Sequence, residues 1–398
     1  MKRLGWFLVL WIAASPAWSA SNKKISVQEL KDQLTSLHAA NKSDDEVALQ
    51  LKQVELTEEL TPVTMNSLAE LVPGKLSTEQ IYVLEARSSM LAPPAADLPT
   101  APAPDPAAQQ AMLAKAADYV AKNYTQLPAL TATRMTARFQ DGVEAIHNSG
   151  MKQEMAGNDD PIWAQTSLYT RLMNMRTDTI ESANGVEKIS NTKEKIQWGP
   201  NGVVASVGQV PTLSTILQEA TANGNPKWLR WESINGIQVA VFSFSVDKKK
   251  THYAVNYCCF PDTDTAGVVT FSKSTGQTAG GGSSAKGNLQ TVNDWKNFKA
   301  NTGYHGELFL DPASGTVIRT ITEAEFKPSD FIHYEDIRTD YAPMPIAGKS
   351  LVVPVRTFIV SEIVPNGDSF AAHYSVRHQE VTEDYKDYQP SGTNTAQK

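Results

Sequence analysis

"YHGELFLDPASGTVIRTITEAEF", Tyr304 to Phe326, sets two alternating runs on either side of Asp311-Pro312 and Gly315. In an extended strand successive side chains point to opposite faces, so Leu308 and Leu310 share one side while Glu307 and Phe309 share the other. Asp-Pro opens a turn and Gly315 supplies its permissive backbone position, so the stretch reads as an antiparallel hairpin. It also carries His305, Glu307, Glu323 and Glu325. A glycosidase needs two carboxyls about 5 to 9 Å apart across a substrate, a separation that spacing on one hairpin does not establish. The four ionisable groups are therefore read as the wet face of a sheet.

The same period of two recurs on both sides of this hairpin. "TATRMTARFQ", "INGIQVAVFSFSVD", "HYAVNYCCF", "SLVVPVRTFIV" and "SFAAHYSVRH" all alternate, and Asn235-Gly236 and Asn366-Gly367 lie between apolar runs as tight hairpin connections. Alternation with one polar face suits an antiparallel sheet, whereas a buried parallel sheet would show more uniformly apolar strands. Residues from about Thr131 to Val381 are expected to form one large antiparallel sheet. The run "DPAAQQAMLAKAADYVAKNYTQL" places Met112, Ala116, Tyr119 and Val120 on one helical face, and "PTLSTILQEA" from Pro211 is a second helical stretch able to cover the sheet.

Toward the N-terminus the language is helical. Ser26 with Glu29 and Ser43 with Glu46 have the spacing of capping boxes, and Ser77 with Gln80 repeats it before Ile81 and Leu84. Four short amphipathic helices are expected between Ser26 and about Met90, a unit with little core of its own unless it forms a small bundle or docks elsewhere. Six prolines between Pro93 and Pro106 then forbid a continuous helix or a central strand. The chain divides accordingly into a signal peptide at 1–19, a helical domain at 20–92, a Pro/Ala-rich linker at 93–106, a sheet domain with a covering helix at 107–388 and a disordered tail at 389–398.

Lys2-Arg3, the apolar run that follows, and Ala17 and Ser19 at signal-peptidase spacing are read as a cleavable secretory signal. Its apolar run is short for a membrane span, no later stretch approaches roughly 18 consecutive apolar residues, and no cysteine follows it for lipid attachment. The expectation is a protein of the periplasm or the secreted fraction, not an integral membrane protein. Loss of Lys2 and Arg3 carries the formal charge from -7 to -9, which together with the absence of a basic stripe excludes nucleic acid as a partner.

Sites with recognisable spacing are lacking. Asp262 and Asp264 have no terminal Glu for a calcium loop, and the glycines at 280–282 precede Lys286-Gly287 rather than Gly-Lys-Ser/Thr. The seven histidines form no i, i+4 pair, and no Gly-x-Ser-x-Gly elbow occurs. No catalytic residue, cofactor-binding residue or metal ligand is assigned. Cys258 and Cys259 are adjacent in an apolar run, where neighbouring side chains diverge; two buried free thiols, a strained vicinal disulfide and a redox or intermolecular role all stay open.

The helix "AMLAKAADYVAKNYTQLPAL" leading into "TATRMTARFQ", a long antiparallel sheet and "GELFLDPASGTVIRT" with its Asp311-Pro312 and Gly315 together resemble the periplasmic lipoprotein-carrier and lipoprotein-receptor superfamily. The whole chain, with its closing "APMPIAGKSLVVPVR", also resembles uncharacterised exported proteins of soil bacteria. The superfamily resemblance implies a strongly curved, incompletely closed sheet, a half-barrel, over a helical plug, with an acyl chain or a lipoprotein segment in the hollow. The fold class is thus α+β: a small N-terminal helical unit plus a large curved antiparallel β-sheet with a covering helix. On the strand "QVAVFSFSVD", Ala240, Phe242, Phe244 and Val246 form the aromatic face, and Phe242, Phe244 and Val246 are the candidate ligand-lining residues. The expected function is a non-enzymatic envelope binding protein for an apolar ligand. A structural, interaction or sensor module without small-molecule ligand, and an exported enzyme, are the alternatives. A lipid or lipoprotein is the expected partner of the sheet, and an envelope protein that of the helical unit.

Overall fold

The computed structural model of the chain describes residues 23–123, 127–140, 143–146, 162–165, 170–183, 186–189, 205–206, 212–261, 295–328, 330, 332–363 and 378–391. The helical unit begins with β1 (Lys23–Ile25), α1 (Val27–Ala39), α2 (Asp44–Lys52), β2 (Val54–Leu56), α3 (Pro62–Ala69) and α4 (Lys75–Ser88). Both expected capping boxes close: Ser26 and Ser43 accept from the backbone N–H of Glu29 and Glu46, whose carboxylates accept from the cap residues' N–H in return. The third does not. α4 starts at Lys75, so Ser77 lies inside the helix, and its first turn is capped by Asp44 of α2, which accepts from Leu76 N at 2.9 Å and Ser77 N at 2.8 Å. A carboxylate at a helix N-terminus satisfies the same orphan donors from a distant part of the chain. β1 and β2, which periodicity did not reveal, pair in parallel. Leu30, Leu34, Leu51, Leu68, Ile81 and Leu84 are among the core residues of this unit.

After a short 3-10 turn at Ala95–Asp97 and an extended proline-rich segment, α5 (Pro106–Asn123) leads into β3 (Leu130–Gln140). β4 (Val143–Ile146) and β5 (Ile162–Gln165) pair with each other; β6 (Arg171–Ala183) and β7 (Val186–Ile189) return to the main sheet. β8 (Ala205–Ser206), α6 (Leu213–Asn223), β9 (Lys227–Ile234), β10 (Ile237–Val246), β11 (Ala254–Pro261), β12 (Trp295–Asn301), β13 (Gly303–Leu310), β14 (Val317–Glu325), β15 (Ile332–Ile346), β16 (Lys349–Ile363) and β17 (His378–Pro390) complete the chain. Ten strands form an open, curved antiparallel sheet in the order β7-β6-β3-β17-β16-β15-β14-β13-β10-β9, while β12-β11-β8 make a separate small sheet. The fold class is α+β, as the alternation and the helical N-terminal third require.

Turn chemistry sets the registers. Asn235 and Gly236 have φ of 51° and 79°, the doubly left-handed pair of a tight hairpin turn between β9 and β10. The Asp311–Thr316 turn that opened the reading joins β13 to β14: Asp311 accepts from Ala313 N at 2.9 Å and from Ser314 Oγ at 2.5 Å. Gly315 has φ 76°, and a Cβ there would meet the Lys115 carbonyl oxygen at 2.7 Å. Lys115 Nζ in turn donates to the carbonyls of Pro312 and Ala313 at 3.0 and 3.1 Å. The turn is thus the seat of α5 as well as a chain reversal. Asn366-Gly367 lies outside the described residues.

α5 and α6 lie together on one face of the sheet, on the main core. The helical unit sits on the other face, with α4 against β6, β16 and β17. The linker passes from one face to the other beside edge strand β9, where Trp231 Nε1 donates to the Pro102 carbonyl at 2.8 Å.

Candidate functional site

The face beneath α5 and α6 changes character across the sheet. Toward β10, β13 and β14 it is apolar. Phe242, Phe244 and Val246, all three on one parity of β10 as the sequence indicated, are 0%, 4% and 0% exposed and share a cluster with Leu308, Leu310 and Val317. α6 starts at Thr212, whose side chain accepts from Thr215 N, and lays Leu213, Ile216, Leu217 and Ala220 on this surface. Rings complete it: Trp228 stands edge-on to Phe242 at 5.6 Å, and Phe244 to Tyr304 at 5.6 Å. The candidate ligand-lining residues are therefore brought together, and in this state their neighbours are side chains of the strands and helices.

Two buried carboxylates border this apolar zone. Glu219 of α6 accepts from Thr251 Oγ1 at 2.7 Å, His252 N at 2.9 Å and Tyr304 Oη at 3.0 Å. Burial opposes its ionisation, but these donors outweigh burial and hold its pKa below the usual range. Burial, and then the Glu219 charge, push the Tyr304 phenol upward. Glu335 of β15 accepts from Tyr253 Oη at 2.6 Å, and the Tyr253 and Tyr304 rings lie 5.2 Å apart. Sequence reasoning missed both acids. Their signal was a glutamate next to Ala220 on the apolar side of α6, and one sharing strand parity with Ile337.

Farther across, toward β17, β3 and β6, the face becomes charged. Cross-strand rows run Ile337–Ile359–Val381–Arg138, then Thr339–Thr357–Glu383–Thr136–Arg176, then Tyr385–Arg134–Asp178. Arg134 lies 3.3 Å from Glu187 and 3.4 Å from Glu383, Tyr385 Oη donates to Glu383 at 2.9 Å, and Arg176 meets Asp178 at 2.5 Å. Desolvation lowers Arg138 to about 10, with Arg134 and Arg176 adding to it against Glu383. Burial and then Glu383 raise Glu187 to about 7 against the pull of Arg134. Chemically, this face offers an apolar bed that ends in a partly accessible belt of arginines and carboxylates. Among the described residues no group of three or more His, Cys, Asp or Glu is placed to hold a metal ion.

The ionisable groups of the opening hairpin lie on the opposite face. His305 Nε2 is 3.0 Å from Glu323 and its Nδ1 is 3.5 Å from Glu325, both acids partly exposed. Glu307 is held by Arg230 through two bonds, at 3.1 and 2.7 Å. Asp336 is cross-strand neighbour to Glu323; burial and then that charge raise it to about 7. Cys258 and Cys259 lie in β11, with Cys258 opposite Ala205, but their side chains fall outside the described residues. So do Asp262, Asp264, the glycine-rich stretch at 280–287 and His373.

No family model and no curated protein matches the chain. Among solved structures it is similar to a LolA superfamily protein from Nitrosomonas europaea, at 10% identity over 70% of this chain and 91% of that one, TM-score 0.23. It is also similar to a DUF1329 family protein from Desulfovibrio piger, at 8% identity over 71% and 93%, TM-score 0.26. A third is the MucA/MucB complex of Pseudomonas aeruginosa, at 8% identity over 70% of this chain and 99% of that one, TM-score 0.19. The structural neighbours thus include the lipoprotein-carrier-like superfamily that the sequence resembles. With every TM-score below 0.5, they assign no ligand and no residue role.

Proposed function

We propose that the chain is a non-enzymatic binding protein of the cell envelope that holds an apolar chain, an acyl group or an acylated protein segment, between the sheet and α5 and α6. The observation that carries this reading is the apolar half of the helix-covered face, where Phe242, Phe244 and Val246 stand in one row with Leu308 and Leu310 beside them. The face belongs to an open sheet, and helices rather than further strands close it. A ligand would replace helix side chains on these residues, with α5 and α6 moving outward as it enters. Each CH₂ taken from water contributes about 0.8 kcal/mol, so about ten enclosed groups suffice for substantial affinity after the helices are shifted. The charged belt at the far end would keep the polar end of an amphipathic ligand in contact with water and arginine. The basic start at Lys2-Arg3 and its apolar run support export, and among the described residues no helix is long and apolar enough to cross a membrane.

Trp228 and Trp231, 4.8 Å apart beside Phe242, are built-in reporters. Protein purified without detergent is titrated with a fluorescent fatty acid while energy transfer from these tryptophans is followed, and native mass spectrometry searches for co-purified lipid. Saturable transfer that is lost when Ala220 is enlarged to Phe supports the reading. Absence of saturable transfer together with a lipid-free mass spectrum sinks it. The second reading, a sensor or interaction module with no small ligand, is favoured by the complete burial of Phe242 and Val246 beneath protein side chains.

A further inference from the structure

The proline-rich segment that crosses from one face of the sheet to the other is met by aromatic rings. Six prolines lie between Pro93 and Pro106, and residues 98–105 are neither helix nor strand. Leu98 has φ -77° and ψ 134°, the backbone of a polyproline II helix. A segment of that kind makes no internal hydrogen bonds, so its carbonyls are open to donors from outside. Two of them find side-chain donors: Trp231 Nε1 donates to the Pro102 carbonyl at 2.8 Å, and Gln109 Nε2 to that of Pro104 at 2.8 Å. The Trp228 ring stands edge-on to Trp231 at 4.8 Å, and both residues are half-buried on edge strand β9. Aromatic rings that also direct an N–H at a carbonyl are the means by which extended proline-rich segments are read.

The segment is anchored at both ends without these rings. Ala92 accepts from Glu59 N at 2.8 Å, which ties its start to the helical unit. Asp105 accepts from Ala108 N at 2.8 Å at the start of α5, and Lys115 seats that helix on the β13–β14 turn. Between the anchors, the Trp231 bond is the only hydrogen bond from residues 99–104 to the sheet among the described residues, and Ala101, Pro102 and Ala103 are exposed. The middle of the segment can therefore leave β9 while both ends stay in place. Because proline fixes φ in advance, a proline-rich chain loses little freedom when it is seated again.

We propose that Trp228 and Trp231 form a docking site for an extended proline-rich segment of a partner protein, and that residues 99–104 occupy it in cis. The seated segment supplies the chemistry of the occupant: a carbonyl for the indole N–H, and rigid proline rings beside the aromatic pair. A helical partner would offer neither, since its carbonyls are spent on its own hydrogen bonds. Tethering keeps the cis segment at an effective concentration on the order of millimolar, so the partner gains the site by displacing it. Nothing in this contact involves the residues beneath α6, and the proposal stands whether or not an apolar ligand binds there.

The test uses the full chain with Pro99→Ser, Pro102→Ser and Pro104→Ser, which leaves the linker length unchanged and vacates the site. A dye-labelled peptide of residues 97–106 is titrated in and followed by anisotropy. It is expected to bind the vacated chain saturably and the unaltered chain at least about tenfold more weakly, because the cis segment competes there. Trp231→Phe in the vacated chain keeps a ring and loses the N–H, and should weaken the peptide about threefold to tenfold. A peptide with Gly at the positions of Pro99, Pro102 and Pro104 keeps its carbonyls but not its stiffness, and should bind at least about tenfold more weakly. Pro102→Ser alone repeats the comparison with the least change to the linker, and urea midpoints show that each variant is folded. No saturable binding to a folded vacated chain, or equal binding of the proline and glycine peptides, would overturn the proposal. A dimer of the unaltered chain that dissociates on Trp231→Phe would assign the site to the linker of a second copy and overturn the separate partner.

Discussion

The two faces of the ten-stranded sheet are read by the same alternation yet held by different forces. Under α5 and α6, Phe242, Phe244, Leu308 and Leu310 are buried against other apolar groups. On the reverse, the same strands and their neighbours present Arg230, Glu307, Arg319, Arg338 and Asp340, in pairs between 2.6 and 3.1 Å. Burial of apolar area is non-directional and stabilises in proportion to what is covered. Desolvated ion pairs contribute little net free energy but penalise every wrong arrangement. Apolar burial therefore dominates the first face, while the second combines a smaller apolar cluster at Val239, Val241 and Phe309 with ion pairs that fix where the helical unit sits.

That division is broken most sharply by cutting into the apolar face. Phe242→Ala removes a ring that is 0% exposed and contacts Trp228, so about 3–5 kcal/mol of unfolding free energy should be lost in denaturant titrations. A loss below about 1 kcal/mol would mean that the helices collapse into the space, as they would if they already open for a ligand.

The charged face should behave differently under single and compensated substitution. Arg338→Met leaves Glu59 and Asp340 without their 2.6 and 2.8 Å partner and is expected to cost about 3 kcal/mol. Arg338→Met combined with Arg319→Met, Glu59→Leu and Asp340→Leu should return most of that loss, because the mutually paired charges are then removed together. Equal destabilisation by the single and quadruple variants would show that the network contributes net stability and would remove the contrast between the faces.

How much of this was legible follows from range along the chain. Local signals held: Ser26 and Ser43 closed their capping boxes, Asn235-Gly236 made its turn, and the parity of "QVAVFSFSVD" correctly separated Val239 and Val241 from Phe242 and Phe244. The failures were distant. Asp44 caps α4 from more than 30 positions away, so Ser77 was misread as the cap. Glu59 meets Arg338 across 279 positions, which no window of period or spacing can contain. The charges of the opening hairpin were read as a solvated face, and His305, Glu323 and Glu325 are partly exposed; Arg338, 3% exposed, was not singled out, and its face is covered by another part of the chain. The candidate site was legible as one row of β10 and no further, because Glu219, Glu335 and the arginine belt come from elements that meet only in the folded sheet.

A smaller effect is expected from pH. Asp336 on the charged face is raised to about 7 by burial and by Glu323, from an ordinary 3.8. A raised carboxylate binds more protons folded than unfolded between those values, so its share of stability falls as pH rises from about 4 to 7. His305 runs in the same sense: the Glu323 hydrogen bond raises it, and the stability gained is present below its ordinary value and lost as pH climbs through the folded one. Asp336→Asn should therefore stabilise the protein at pH 8 by about 1–2 kcal/mol and change little at pH 4, read from urea midpoints at both values. A variant equally stabilised at both would place the effect in packing rather than in charge.

The smallest predicted effect lies at the edge, where neither face is involved. Gly236 closes the β9–β10 turn at φ 79°, and a Cβ there would meet nothing within 4 Å. With no steric contact to make, Gly236→Ala isolates the cost of holding an L-residue in the left-handed region, about 1 kcal/mol, partly offset by the lower freedom of alanine in the unfolded chain. A net loss of about 0.5–1 kcal/mol with an unchanged denaturant slope is the expected result. A loss several times larger would mean that the turn governs the register of Phe242 against Trp228, so that a local backbone preference, and not only apolar burial, sets how the candidate site is lined.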